Sequence, residues 1–144
     1  PARQIEVAIA PGLRAEGDPA LLRVLLGNLL GNAWKYTARA PRARIEFLQE
    51  TDADGQAVFV VRDNGAGFDM QFADKLFRLF QRLHRDEDFG GQGIGLVTAQ
   101  RIVGRHGGRI WGQGEKGRGA EFRFTLWDDP ALRREAESAL ERQE

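Results

Sequence analysis

Between Asp18 and Thr37 the sequence runs DPALLRVLLGNLLGNAWKYT, and Leu22, Leu25, Leu26, Leu29 and Ala33 recur in it at steps of three and four. That is the period of an α-helix, and it gathers these side chains into one stripe that has to be buried against another layer. Asp18 can cap the free N–H groups of the first turn, and Pro19 has its φ preset for the first helical position. A helix over about 18–37 with a single apolar stripe is therefore the firmest element, and the rest of the chain must supply what covers it.

The flanking segments read as that cover. Ile5, Val7 and Ile9 alternate with other residues in the period of a half-buried strand, which Pro11-Gly12 ends. Residues 43–50 and 56–63 are β-rich and joined by Thr51-Asp52-Ala53-Asp54-Gly55, a linker of hairpin length. A short helix is expected from about Asp69, carrying Phe72, Leu76, Phe77 and Phe80, followed by a charged, glycine-containing loop over 81–93. A helix over 95–106, a strand over 109–113, a glycine-rich turn and a strand over 120–127 complete the order. The class is α+β, a two-layer sandwich: a mixed sheet of about five strands with about three helices on one face. Leu132, Ala136 and Leu140, four apart, make 129–144 a candidate helical tail beyond a domain of residues 1–128.

Composition narrows the function. The 144 residues hold 21 basic and 21 acidic side chains and no Cys, so no basic footprint for nucleic acid, no disulfide framework and no thiolate metal site is present. No apolar run reaches the length of a membrane span. A cytoplasmic setting without membrane contact by this domain is expected. The chain begins at Pro1 and reads as part of something longer.

Three stretches carry chemistry. On the first helix Asn28 and Asn32 are four apart, with Lys35 and Tyr36 one turn on, along the flank of the apolar stripe. Neutral amide oxygens there can complete a magnesium shell, and an ammonium can meet phosphate. Asp63-Asn64-Gly65-Ala66-Gly67-Phe68 ends a strand; its carboxylate can accept from an exocyclic amine, and its glycines permit close backbone approach. Gly91-Gln92-Gly93-Ile94-Gly95-Leu96 opens a helix whose free N–H groups form an anion site. Two tripeptides nearby, His84-Arg85-Asp86 and Asp88-Phe89-Gly90, imitate serine/threonine/tyrosine kinase motifs. The imitation fails: one residue separates them, and Gly91 stands where the metal-binding Asn is required.

Taken in order, Asn28 to Thr37, Asp63 to Phe68, Phe77-Arg78-Leu79-Phe80, Gly91 to Leu96 and Gly117 to Phe122 resemble the N, G1, F, G2 and G3 boxes of sensor histidine kinase ATP-binding domains, in the Bergerat (GHKL) superfamily. The resemblance covers about residues 5–127. Phe80 to His84 and Arg105 to Trp111 are also similar to the wording of phytochrome-like kinases. The resemblance implies that Asp63 bonds the adenine amino group, Gly65 and Gly67 shape the base pocket, and Tyr36 lies against the base. It further implies that Asn32 holds Mg2+ with Asn28 assisting, that Lys35 reaches the phosphates, and that Gly91, Gly93, Gly95 and Leu96 flank the triphosphate. Asn28, Asn32 and Lys35 form the implied catalytic set. Residues 81–93 would be a mobile ATP lid anchored by Phe77 and Phe80.

The activity implied is transfer of the ATP γ-phosphate to a histidine on separate dimerisation helices, for relay to a response regulator. The isolated domain would be a monomer and its parent a homodimer. Gyrase-like, chaperone-like and anti-sigma serine kinase members carry Glu where this chain has Asn28; a Glu can serve as general base, whereas a neutral imidazole acceptor needs none. Neither His84 nor His106 stands in a phosphoacceptor context. Two further readings follow: a nucleotide- or regulator-binding module of a mainly phosphatase or non-catalytic sensor, and an anti-sigma serine kinase, which Asn28 disfavours. Gln92 and Val97-Thr98 depart mildly from the resembled pattern and bear on the lid.

Overall fold

The computed structural model describes residues 5–68, 70 and 94–128. The expected helix over 69–80, the lid over 81–93 and the tail over 129–144 lie outside these, apart from Met70. Five strands form one mixed sheet: β1 (Ile5–Ile9), β2 (Ala43–Thr51), β3 (Ala57–Asp63), β4 (Ile110–Glu115) and β5 (Gly119–Phe124), in spatial order β1-β2-β3-β5-β4. Only the β1–β2 pair is parallel; the others are antiparallel. Two helices are described, α1 (Pro19–Tyr36) and α2 (Ile94–Arg105), and they pack on each other and on the sheet.

The α1 stripe falls where its spacing put it. Leu25, Leu29 and Ala33 are buried against Ile45, Phe59, Val61, Phe122 and Phe124 of the sheet and Leu96, Ala99 and Val103 of α2. Asp18 caps the helix, its Oδ1 accepting from Ala20 N at 2.9 Å and Leu21 N at 3.2 Å. Phe59 on the central strand stacks on Phe124 with centroids 5.2 Å apart, filling the middle of the sandwich.

The helix glycines have a different place from the one their conformational cost suggests. Gly27 and Gly31 invite the reading that another element approaches α1 closely there, yet among the described residues nothing lies within 4 Å of a Cβ built on either. Gly27→Ala and Gly31→Ala are each expected to raise stability by about 0.5–1 kcal/mol, because Ala lowers the backbone entropy of the unfolded chain without a clash. Urea unfolding of the two variants checks this.

β3 is covered on both faces. On the side away from the α1 stripe, Val60 is fully buried, and four charges form a closed ring around it: Arg123 meets Glu50 at 2.8 Å and Glu121 at 2.6 Å, while Arg62 meets Glu50 at 3.6 Å and Glu121 at 3.7 Å. The strand register brings these residues together, since Val60 pairs with Leu48 and Arg123, and Arg62 with Glu46 and Glu121. β1 departs from the half-buried expectation. Val7 and Ile9 are 52% and 61% exposed, because β1 is an edge strand and α1 packs over β2 and β3.

The expected strand over 120–127 stops at Phe124. Beyond it the chain doubles back onto the end of α2, and Trp127 takes a positive φ of 60°. α2 closes in a Schellman turn: Gly107 N donates to Gly104 O at 3.0 Å, and Gly108 N to Val103 O at 3.0 Å, with Gly107 at φ 70°. A side chain on Gly108 would overlap Thr125 O. Trp127 N then donates to His106 O at 2.8 Å, and its indole N–H to Glu16 O at 2.8 Å.

His106 is the centre of this fastening. Its Nδ1 donates to Ile102 O at 2.8 Å and its Nε2 accepts from Asp18 N at 3.0 Å, so the ring is neutral with the proton on Nδ1. It is 3% exposed and meets Trp127 edge-on. Both nitrogens are engaged, which accounts for this histidine as architecture. His106→Ala is expected to cost about 3 kcal/mol through the cavity and the unpaired Asp18 N–H, with ATP affinity unchanged below the melting range; urea unfolding and calorimetry check the two halves.

Candidate nucleotide-binding site

The bond from Asp18 to His106 sets the start of α1 against the end of α2, so the two helices run antiparallel. The C-terminal half of α1 and the first turn of α2 therefore share the opposite end of the layer. Asn28, Asn32, Lys35 and Tyr36 lie on the former, and Gly95 and Leu96 on the latter. β3 ends at the same place, since Ala66 N donates to Tyr36 O at 3.0 Å. Three of the five sequence boxes thus converge at one end. Phe80, Gly91 and Gly93 lie outside the described residues.

Backbone contacts explain the glycines of Asp63 to Phe68. A side chain on Gly65 would overlap Tyr36 O, and one on Gly67, whose φ is 64°, would overlap Glu115 O. Gly117 N donates to Ala66 O at 2.7 Å, and a side chain on Gly119 would overlap Asp63 O. The turn is clamped between the last carbonyls of α1 and the β4–β5 hairpin, so its glycines are required by protein against protein. Gly117 to Phe122, the expected fifth box, reaches the site through this clamp.

Asp63 is 7% exposed and its Oδ1 accepts from Gly65 N at 2.8 Å. Burial pushes its carboxyl from the ordinary 3.8 up to about 6, against the lowering effect of hydrogen bonds from the Gly65 and Ala120 backbone. Burial likewise raises the Tyr36 phenol. A buried carboxylate that faces no cationic partner among the described residues is suited to accept from a neutral donor such as an aromatic amine.

Asn32 carries an orphan. Its side-chain nitrogen is buried and has no hydrogen-bond partner among the described residues. A buried amide left unpaired has a cost that a ligand oxygen can relieve. Among the described residues no three His, Asp or Glu side chains gather as a metal cage. A divalent ion here would therefore rest on amide oxygen and on the oxygens of a bound phosphate chain, the manner suited to Mg2+. Asn28 and Asn32 fit that role in donor type.

The sequence reading passed over two contributors. Asn64 ties the turn to β2 with its side chain, a role foreshadowed only by an Asx residue before Gly. Thr37, fully buried, donates from its hydroxyl to Ala33 O at 2.9 Å and closes α1 just after Tyr36. A cavity of about 780 Å3 lined by Leu13, Arg14, Gln56, Phe59 and Trp127 opens at the far end, beside the His106 fastening, and contains none of the site residues. Among the described residues no helix is long and apolar enough to cross a membrane.

The family described as histidine kinase-, DNA gyrase B-, and HSP90-like ATPase matches residues 17–130. Cyanobacterial phytochrome A of a Nostoc species is 42% identical over 106 residues, which are 73% of this chain and 14% of that protein. The methanogenesis regulatory histidine kinase FilI of Methanothrix harundinacea is 41% identical over 125 residues, 86% of this chain and again 14% of the relative. The chain thus spans a small part of these relatives' length. Among solved structures, the mycobacterial sensor histidine kinase MprB superposes with a TM-score of 0.69 at 26% identity, over 85% of this chain and 82% of that one. Full-length ShkA in complex with AMPPNP gives 0.67 at 30% identity, over 85% of this chain and 25% of that one. The chain belongs to the histidine kinase-, DNA gyrase B- and HSP90-like ATPase family, and within it is similar to the ATP-binding catalytic domains of sensor histidine kinases.

Proposed function

We propose that this domain binds Mg-ATP at the end of the layer where Asn32 and Asp63 meet the α1–β3 clamp, and donates the γ-phosphate to a histidine on dimerisation helices of its parent protein. The single observation that carries the reading is a buried amide on Asn32, unpaired among the described residues, at the same end of the layer as the buried carboxylate of Asp63. The amide can donate to an oxygen and the carboxylate can accept a further bond, and a nucleotide offers partners for both. Asp63 accepts from the adenine 6-amino group, Tyr36 flanks the base, and Gly65 and Gly67 hold the turn that shapes the pocket. Asn32, assisted by Asn28, holds the metal, and Lys35 balances phosphate charge. The α2 N-terminus at Gly95 and Leu96 offers N–H groups to the triphosphate; Phe80, Gly91 and Gly93, which the family resemblance adds to this set, lie outside the described residues. Mg2+ supplies charge neutralisation across the phosphate oxygens in an in-line transfer.

Asn28 favours histidine over serine as acceptor, because a neutral imidazole is a nucleophile without a general base. The phosphohistidine would then pass to a response regulator, in a homodimeric parent with this domain on the cytoplasmic side. The test supplies the parent's separate dimerisation helices, γ-labelled ATP and Mg2+. Acid-labile label on their histidine supports the reading; label on serine, or none while ATP binds, overturns it. His106 retains no free nitrogen for the role, so the domain alone is expected to stay unlabelled.

A further inference from the structure

We infer that Asn64 is a positioning residue for base recognition: its carboxamide ties the turn that carries Asp63 to the start of β2 and thereby fixes where the Asp63 carboxylate points. Asn64 Oδ1 accepts from Arg44 N at 2.8 Å, its Nδ2 donates to Arg42 O at 2.7 Å, and its own N–H donates to Arg44 O at 3.3 Å. One residue thus makes three hydrogen bonds to a three-residue stretch. The β2–β3 ladder ends at the Ile45–Asp63 pair. One step further the side chain of Asn64 takes the place of a strand backbone, so pairing continues while the main chain turns off toward Gly65.

The Asp63 main chain is consequently held from three directions. Ala66 is bonded to Tyr36 O of α1, Gly119 packs against Asp63 O, and Asn64 reaches β2. The first two are backbone contacts that a substitution can only disrupt by collision. The third is made by an exposed side chain, so it can be removed without opening a cavity. Asn is suited to it because one group must both donate and accept. Asp keeps the bond from Arg44 N but sets a second oxygen against Arg42 O, and Ala makes neither.

The inference rests on the reading of Asp63 as acceptor for the 6-amino group, and the test separates the two. Calorimetry on the whole chain compares ATP with purine ribonucleoside triphosphate, which lacks only that amino group, for wild type, Asn64→Ala and Asn64→Asp. Wild type is expected to prefer ATP by about 10- to 100-fold, the range of a hydrogen bond to a charged acceptor. Asn64→Ala is expected to lose that preference to within about threefold, with affinity for the purine analogue retained, and Asn64→Asp to fall between. The loosened turn also hydrates Asp63, so the pH at which ATP affinity rises should move below the wild-type midpoint of about 6. A wild-type preference near one overturns the Asp63 reading and this inference with it. A wild-type preference that Asn64→Ala keeps in full, in folded protein, overturns the inference alone. Should Asn64→Ala be unfolded at the assay temperature, Asn64→Asp decides: an undiminished preference overturns the inference, a reduced one supports it. A merely structural role would weaken both nucleotides equally and leave their ratio unmoved.

Discussion

Asp63→Asn is expected to stabilise the ligand-free domain at pH 7.5 by about 2 kcal/mol while lowering its affinity for ATP by about 100-fold. Both effects come from the same burial. The folded domain holds the Asp63 proton more tightly than the unfolded chain does, with a pKa of about 6 against 3.8. The stability this group contributes is therefore full below about pH 4 and is lost as pH rises through about 6. Asn carries no charge to desolvate and escapes that loss, yet it sets an amide where the adenine amine needs an acceptor. Wild-type and variant stabilities should converge near pH 4 and separate above pH 6, and wild-type ATP affinity should weaken as pH falls below about 6. Urea unfolding at pH 4.5 and 7.5, with calorimetry in parallel, reads all of this. Equal stability at both pH values would remove burial as the cause, and retained affinity would remove Asp63 from the base site.

Asn32→Ala is expected to reduce ATP affinity in Mg2+ by about 30- to 100-fold and to abolish the difference between affinities measured with Mg2+ and with a chelator. It should do so without loss of stability, because the nitrogen it deletes has no partner among the described residues. Removal of an unsatisfied buried group is neutral or favourable for the fold, by up to about 1 kcal/mol. A melting temperature at or above wild type, together with a metal-independent residual affinity, is the expected pair of results. If metal dependence persists in full, the ion is held elsewhere.

The placement of the candidate site residues on α1 and at the end of β3 was legible because it rests on local periodicity. Asn28, Asn32, Lys35 and Tyr36 follow from one helical phase, and the capped start of α1 at Asp18 placed that phase correctly. Asp63 at a strand end was legible for the same reason. The cause of the glycines was not. Gly65, Gly67, Gly108 and Gly119 are set by main-chain contacts across 17 to 56 positions, as Gly65 is by Tyr36 and Gly119 by Asp63, and nothing in their neighbourhood names the partner. Gly27 and Gly31 look alike in sequence yet face open space. The stretch Arg105 to Trp111, which reads as a mark of phytochrome-like kinases, becomes a Schellman turn and a backbone crossing. Exposure of Val7 and Ile9 was also out of reach, since alternation reports a strand's period and is silent on its place at the sheet edge.

The indole bond from Trp127 to Glu16 joins positions 111 residues apart and works as a drawstring. The last strand ends at Phe124, but the string is tied three residues later, around His106 and over the entry to α1. A chain trimmed at its final strand would keep every rung of the described sheet and the Asp18–His106 bond, yet lose the Trp127 and Asp128 bonds that fasten the chain over it. For anyone excising or grafting this module, a cut at the final strand would sever that knot, whose described contacts run on to Asp128.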